Sequence, residues 1–176
     1  MRPVGAAVCL VLVATGLSAV DTQKGRIKRA VLRNVERDFD GKLRTTPPVS
    51  SFDLMGTTRG VYLEGYGAVF SSEINLLPSA TVSPFQPTMP RNVVEQLHKS
   101  KLERVPVLKQ TMRDLLQHSA TMLKDIPSSE QIILGVSIFY YSWEDTRDLP
   151  AQIVMRASRQ TLLGGASSGP ITAEEY

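Results

Sequence analysis

Apolar residues recur every four positions from Ile27 to Phe39. At about 100° of rotation per residue, this spacing places them on one face of an α-helix. The sequence therefore predicts an amphipathic helix over 26–39 that ends at Gly41. The opposite face of this helix carries four arginines, Arg26, Arg29, Arg33 and Arg37.

The run from Gly60 to Leu77 is the densest stretch of strand-forming residues before the last third of the chain. Apolar and polar side chains alternate along it on both sides of a Gly65-Tyr66-Gly67 break, as in strands with one buried face. We interpret it as two half-buried strands joined by a glycine-rich turn. The alternative is one long strand with a glycine bulge.

Two further helices are predicted after a proline-rich loop over 78–90. Helical periodicity is modest over 92–103 and is the clearest of the whole chain over 107–124. Pro106 between them suits the first turn of a new helix, where its missing N–H is not needed. Pro127 then ends the second helix.

The last third of the chain begins with a β-branched and aromatic run over 131–141, which predicts a central strand. Residues 151–162 alternate in polarity and predict its antiparallel partner. Residues 164–176 are expected to form a flexible C-terminal tail. The order helix, strands, helices, strands predicts an α+β fold: an antiparallel sheet of about four strands, arranged as two hairpins, with helices packed on one face.

Residues 1–19 differ from the rest of the chain. A positive charge at Arg2 precedes an apolar run and several small residues, a pattern typical of a secretory signal peptide. We expect cleavage after Ala19, export to the periplasm or the extracellular space, and a single α+β domain over 20–163. The alternative is an uncleaved membrane anchor, because the apolar run approaches the length of a membrane span.

Composition restricts the chemistry of the domain. The whole chain has 176 residues, of which 42% are hydrophobic and 21% charged, and these values suit one soluble domain with a core. Cys9 is the single cysteine and lies within the predicted signal, so the mature domain is expected to have neither disulfides nor thiolate chemistry. The sequence has no nucleotide-binding loop, nucleophile elbow or zinc motif, and we expect no cofactor.

One short pattern resembles the start of a calcium-binding loop. Asp38 and Asp40 alternate with other residues before Gly41, and alternate side chains of a tightly curled loop converge on one cation. The pattern departs from such loops at Pro47, which stands where a bidentate glutamate is needed. The alternative is a helix end capped by Gly41.

The basic helix is the main candidate for contact with a partner. Residues 24–44 carry eight basic and three acidic side chains. Such a helix suits an anionic membrane surface or an acidic protein, and the alternative is a core-packing helix with a solvated basic face. Nucleic acid is not an expected partner, because the charge is confined to one helix without aromatic side chains for stacking.

Tyr66, in the glycine-rich turn, is the second binding candidate, since tyrosine is enriched at interfaces. Other aromatic residues of the strands either join it in a binding surface or pack in the core. These residues are Tyr62, Phe70, Tyr140, Tyr141 and Trp143.

Two classes of function follow from these observations. The first is a non-catalytic module that binds a protein or a component of the cell envelope. The alternative is a small hydrolase-like enzyme, or a protein that binds a small ligand or calcium. The enzyme would require a pocket that brings together acid–base groups from among Glu64, Glu73, His98 and His118.

Overall fold

The computed structural model describes residues 27–45, 52–78, 88–164 and 169–176. Within these residues the chain forms three helices and six strands. In chain order they are α1 (Arg29–Thr45), β1 (Asp53–Leu54), β2 (Arg59–Leu63), β3 (Gly67–Asn75), α2 (Arg91–Met122), β4 (Gln131–Ile138), β5 (Gln152–Ser158), α3 (Arg159–Gly164) and β6 (Thr172–Glu175).

The centre of the sheet is a parallel pair, β3 and β4, with Ala68 opposite Ile132 and Ile74 opposite Ile138. The pairs β2–β3, β4–β5 and β5–β6 are antiparallel, so the sheet is mixed. The α+β class is confirmed, whereas the antiparallel four-stranded sheet was wrong. The reason is α2, which carries the chain back along the sheet so that β4 starts at the same end as β3.

Short strands complete both sides of this centre. β1 and β2 pair one after the other with the same edge of β3, which makes them two parts of one interrupted edge strand. At the far side, β6 pairs with β5, and Met155 faces Ala173. This strand differs from the flexible tail expected over 164–176. The main-chain hydrogen bonds to β5 form whatever the side chains of β6 are. A strand with a polar sequence such as this one therefore cannot be predicted from a pattern of apolar residues.

Helix α1 is longer than expected and continues through Gly41 to Thr45. Glycine costs about 1 kcal/mol in a helix relative to alanine. Leu43 lies two residues further on and is fully buried, and its burial opposes that cost. Packing therefore overrides the local stop signal.

Helix α2 is one continuous helix from Arg91 to Met122, although two were predicted. Pro106 lies inside it at an exposed position. A proline at this place removes one main-chain hydrogen bond. Val105 and Leu108 beside it are buried, and their packing holds the helix together across the proline.

The core lies between the helices and one face of the sheet, as predicted. Phe39 of α1 packs on Phe70 of β3 with ring centroids 5.0 Å apart. Alternate residues of the strands point to the same layer as the apolar stripe of α2. Its fully buried members include Ala68, Ile74, Leu108, Met112, Leu115, Leu116, Ile132, Leu134, Val136, Ile153 and Met155.

The predicted signal peptide over 1–19 lies outside the described residues, as does most of the proline-rich loop. None of the helices in the described part of the chain is both long and apolar enough to cross a membrane.

Candidate functional site

The arginines of α1 contact their own protein to different extents. Arg29 forms an ion pair with Glu36 at 2.7 Å and donates a hydrogen bond to the carbonyl oxygen of Gly60 at 3.1 Å. Arg37 donates to the Asn34 side chain, and Arg33 is exposed. Arg26 lies outside the described residues. The basic face is thus partly used to join α1 to the sheet.

The two acidic residues of the calcium prediction also lie on α1. Asp40 accepts a hydrogen bond from the main-chain N–H of Thr58 at 2.8 Å. Asp38 lies 3.1 Å from Lys42 and 3.7 Å from the His118 ring. The structure forms a helix where the calcium prediction needs a loop. In the described ranges, no group of three or more histidine, cysteine, aspartate or glutamate residues is placed to hold a metal.

Tyr66 lies in the exposed turn between β2 and β3, and this turn confirms the predicted hairpin. Its main-chain N–H donates to Leu63, and its carbonyl oxygen accepts from Gln131 at the start of β4. Gly67 follows with φ +138°, and a Cβ there would lie 1.9 Å from the carbonyl oxygen of Gln131. The glycine therefore permits β4 to approach the turn.

The four acid–base candidates lie in different parts of the structure. Glu64 is in the exposed turn and Glu73 is exposed on β3. His98 and His118 are more than five turns apart on α2. His98 lies against the carbonyl oxygen of Asp145, and His118 lies against the carboxylate of Asp38.

The sheet has a second face that no described helix covers, and we call it the open face. Its residues alternate with the core residues along each strand, so they share one side of the sheet. They are Arg59, Val61, Leu63, Val69, Ser71, Glu73, Gln131, Ile133, Gly135, Ser137, Gln152, Val154, Arg156, Ser158, Thr172 and Glu174.

An apolar row crosses the open face. Val61, Val69 and Ile133 are direct cross-strand neighbours on β2, β3 and β4. Val61 is 50% exposed and Leu63 beside it is 47% exposed, while Ile133 at the centre is only 7% exposed. Charged and polar residues border the row, including Arg156, which is ion-paired with Glu174 at 2.9 Å. Apolar surface with a polar rim is typical of a binding surface.

Gly135 has no side chain and therefore leaves a gap between side chains in the middle of this face, which we call the depression. It faces Ser71 on one side and Val154 on the other. A Cβ added here would meet no atom closer than 3.9 Å, so the surrounding packing does not require glycine. A glycine inside a central strand often marks a site where a ligand or another chain approaches closely.

Aromatic side chains extend the open face beyond the end of β4. The ring centroids of Phe139 and Tyr141 are 5.0 Å apart in an edge contact, and Tyr141 stacks on Trp143 at 5.9 Å. The main chain at Phe139 still donates to Ile74 of β3, so these rings continue the alternation of the strand. The predicted aromatic surface is divided, because Phe70 lies in the core and Tyr66 in the turn.

A buried ion pair holds the segment that carries these rings. Lys101 Nζ lies 2.5 Å from Glu144 Oε2, and the two side chains are 1% and 2% exposed. The same ammonium lies 5.0 Å from the centre of the Tyr140 ring. Burial lowers the pKa of Lys101, opposed by Glu144. Burial and the Glu144 carboxylate raise the pKa of Tyr140 to about 12.

Sequence reasoning missed both Gly135 and Lys101, although each has a signal. Gly135 lies between the core residues of the 131–138 run, and strand alternation therefore places it on the opposite face of the strand. Lys101 is at helical spacing with Val105, Leu108 and Met112, on the apolar stripe of α2. A lysine on such a stripe predicts a buried acidic partner.

No protein family, curated protein or solved structure matches this chain.

Proposed function

We propose that this protein is an exported, non-catalytic interaction module that binds a partner protein on the open face. The observation that carries the proposal is the apolar row formed by Val61, Val69 and Ile133, whose β2 end is half exposed at Val61 and Leu63, with the depression at Gly135 beside it. Burying apolar surface drives association, and a partner that covered this row would bury it.

Rigidity of the surface supports the same proposal. Val69 and Ile133 of the apolar row lie on β3 and β4, which pair with a strand on each side, whereas Val61 lies on the edge strand β2. The Lys101–Glu144 pair fixes the neighbouring aromatic segment. A preformed surface loses little conformational entropy on binding. Recognition by shape therefore suits this face.

Export is a separate part of the proposal and depends on residues 1–19. It predicts that the chain isolated from its own cells begins at Val20 and is recovered from the periplasm or the medium. N-terminal sequencing and cell fractionation measure both properties. A chain that still begins at Met1 in the cytoplasm would contradict export without affecting the binding proposal. Contact of the basic face of α1 with anionic lipid remains a prediction.

The hydrolase-like alternative and the small-ligand or calcium alternative remain predictions as well. The separate positions of Glu64, Glu73, His98 and His118 give the hydrolase-like alternative no support. The domain is proposed to act without a cofactor.

Photo-crosslinking in the cells that make the protein tests the binding proposal. A photoreactive phenylalanine analogue replaces Ser71, which is exposed at the centre of the open face. The matched control carries the analogue at Gln117, exposed on α2. We expect one discrete product from the Ser71 position that the Gln117 position does not give, and mass spectrometry identifies its partner. Equal or absent products from the two positions would contradict the proposal, and a product of two copies of this chain would replace the partner with self-association.

A further inference from the structure

Helix α1 seals part of the edge of β2, in the sense that its side chains form hydrogen bonds with the main-chain groups there. The Asp40 carboxylate accepts from the Thr58 N–H at 2.8 Å, and the Glu36 carboxylate accepts from the Gly60 N–H at 2.7 Å. Arg29 in turn donates to the Gly60 carbonyl. Four helical residues rise about 6.0 Å and two strand residues span about 6.6 Å, so carboxylates four residues apart match alternate N–H groups of an edge strand.

This sealing does not extend to Tyr62. Four residues before Glu36 the helix presents Leu32, whose side chain has no hydrogen-bonding group. In an antiparallel pair, alternate residues direct their N–H and C=O away from the neighbouring strand. Gly60 directs its N–H and C=O toward α1, so Tyr62, two residues later, directs its own toward the same edge. An exposed strand edge is a template for pairing with another chain.

A groove of about 740 Å³ lies at this place, between the first turn of α1 and β2. Ile27, Leu32 and Val61 give it apolar walls. Lys28 and Arg29 also line it, and the charge of Arg29 is paired with Glu36. Among the described residues, the groove thus combines a strand edge that has no main-chain partner at Tyr62 with apolar walls and positive charge. These are the requirements for binding an extended peptide that ends in a carboxylate.

We propose that this groove binds the C-terminal end of a partner polypeptide in extended conformation. The partner's main chain pairs with the N–H and C=O of Tyr62 and adds a strand to the β2 edge. An apolar side chain of the partner packs on Ile27, Leu32 and Val61, and the terminal carboxylate meets Lys28 and Arg29. The occupant is chosen by charge complementarity, because Lys28 lines the groove where a free chain end offers its carboxylate, and Arg29 shares its charge between that site and Glu36.

This inference goes beyond the open-face proposal and uses different chemistry. The groove adjoins the open face at Val61 but depends on the edge of β2, on Lys28 and on Arg29. A Ser71→Lys substitution alters the open face and is expected to leave peptide affinity unchanged. Loss of one activity without the other therefore separates the two proposals.

Fluorescence anisotropy with the full chain tests the groove. The probe is a fluorescein-labelled pentapeptide, AEVTV, with a free C-terminal carboxylate, and its matched control is the same peptide amidated at the C-terminus. We expect saturable binding of the free acid and at least tenfold weaker binding of the amide. Lys28→Glu is expected to weaken binding of the free acid at least tenfold, whereas the exposed Lys124→Glu changes it less than twofold.

Hydrogen exchange measured by NMR locates the binding. Saturating peptide is expected to slow exchange of the Tyr62 amide at least tenfold and to leave the Gly60 amide, already bound to Glu36, unchanged. The proposal is overturned by absence of binding at millimolar peptide, or by an unchanged Tyr62 amide. It is also overturned if the Tyr62 amide is protected before peptide is added, because another segment of the chain then fills the groove.

Discussion

The same strands have one face inside the protein and one face outside it, and neighbouring residues of β3 show the contrast. Phe70 is fully buried against Phe39 of α1, while Val69 beside it belongs to the apolar row of the open face. The covered face consists almost entirely of aliphatic and aromatic side chains. The open face mixes valine and isoleucine with serine, glutamine, arginine and a glycine.

Because of this difference, the covered face stabilises the fold, whereas the open face is the one that suits recognition of a partner. Helices α1 and α2 bury the covered face, which therefore supplies the hydrophobic free energy of folding. The open face contributes less to folding, yet it keeps Val61 and Leu63 half exposed to solvent. Apolar side chains that folding leaves exposed in a contiguous row are available to a partner.

The largest expected difference between the faces concerns neighbouring residues of β3. Phe70→Ala should lower the free energy of unfolding by about 3–5 kcal/mol, because it leaves a cavity in the core. Val69→Ala removes a partly exposed side chain and should lower it by about 1 kcal/mol or less. Urea denaturation of the two variants measures both values. Equal losses would contradict the division of the sheet into a core face and an open face.

Breaking the buried ion pair should have an effect of similar size. Lys101→Met leaves the Glu144 carboxylate buried without its partner and should cost about 3–5 kcal/mol. The double variant Lys101→Met with Glu144→Leu should recover most of that loss, since no unpaired charge remains. Chemical denaturation of the single and double variants gives the coupling free energy. Additive losses would show that the two groups do not act as a pair.

Two glycines provide a smaller contrast between the faces. A Cβ at Gly60 would lie 2.5 Å from the Phe70 ring, so Gly60→Ala should destabilise the protein by about 1–3 kcal/mol. Gly135→Ala meets nothing closer than 3.9 Å and should change stability by about 0.5 kcal/mol or less. Thermal denaturation of both variants provides the comparison. A large loss at Gly135 would mean that the depression is required for folding.

The last prediction concerns the pH dependence of stability near Tyr62 and Tyr140. Burial, with Glu130 beside Tyr62 and Glu144 beside Tyr140, raises the pKa of each phenol to about 12. The unfolded chain, with phenol pKa values of about 10, therefore releases these protons first. The stability that both tyrosines contribute is present below pH 10 and is lost between about pH 10 and about pH 12.

Absorbance of the tyrosinates at 295 nm, followed from pH 9 to pH 12.5, measures this ionisation. The absorbance that appears above pH 10 should decrease in the single variants Tyr62→Phe and Tyr140→Phe and decrease further when the two are combined. Tyr176, whose pKa is raised by its hydrogen bond with Glu174, contributes to the remainder. A titration of the double variant identical to that of the original chain would contradict the assignment.

Local patterns predicted the local structure well. The Gly65-Tyr66-Gly67 turn and the alternation of the buried Ala68, Phe70 and Ile74 with more exposed residues could be read from the sequence. Each depends on interactions between residues close in the chain. Periodicity and turn chemistry report such interactions directly.

Features that depend on contacts between distant segments were not predictable in this way. The parallel pairing of β3 and β4 follows from the path of α2, and the continuity of α2 through Pro106 follows from packing around it. The strand Thr172–Glu175 forms because β5 offers a free edge, which its own polar sequence does not indicate. The groove at Tyr62 likewise results from the way α1 lies against β2.

Hydroxyl-radical footprinting of the open face, in intact cells and on the purified chain, tests the central claim most directly. Leu63 on the open face and Leu163 on α3 are a matched pair, at 47% and 49% exposure. The account predicts that modification of Leu63 falls severalfold in cells relative to the purified chain, while modification of Leu163 is unchanged. Equal modification of Leu63 in both settings would show that the open face carries no partner and would contradict the account.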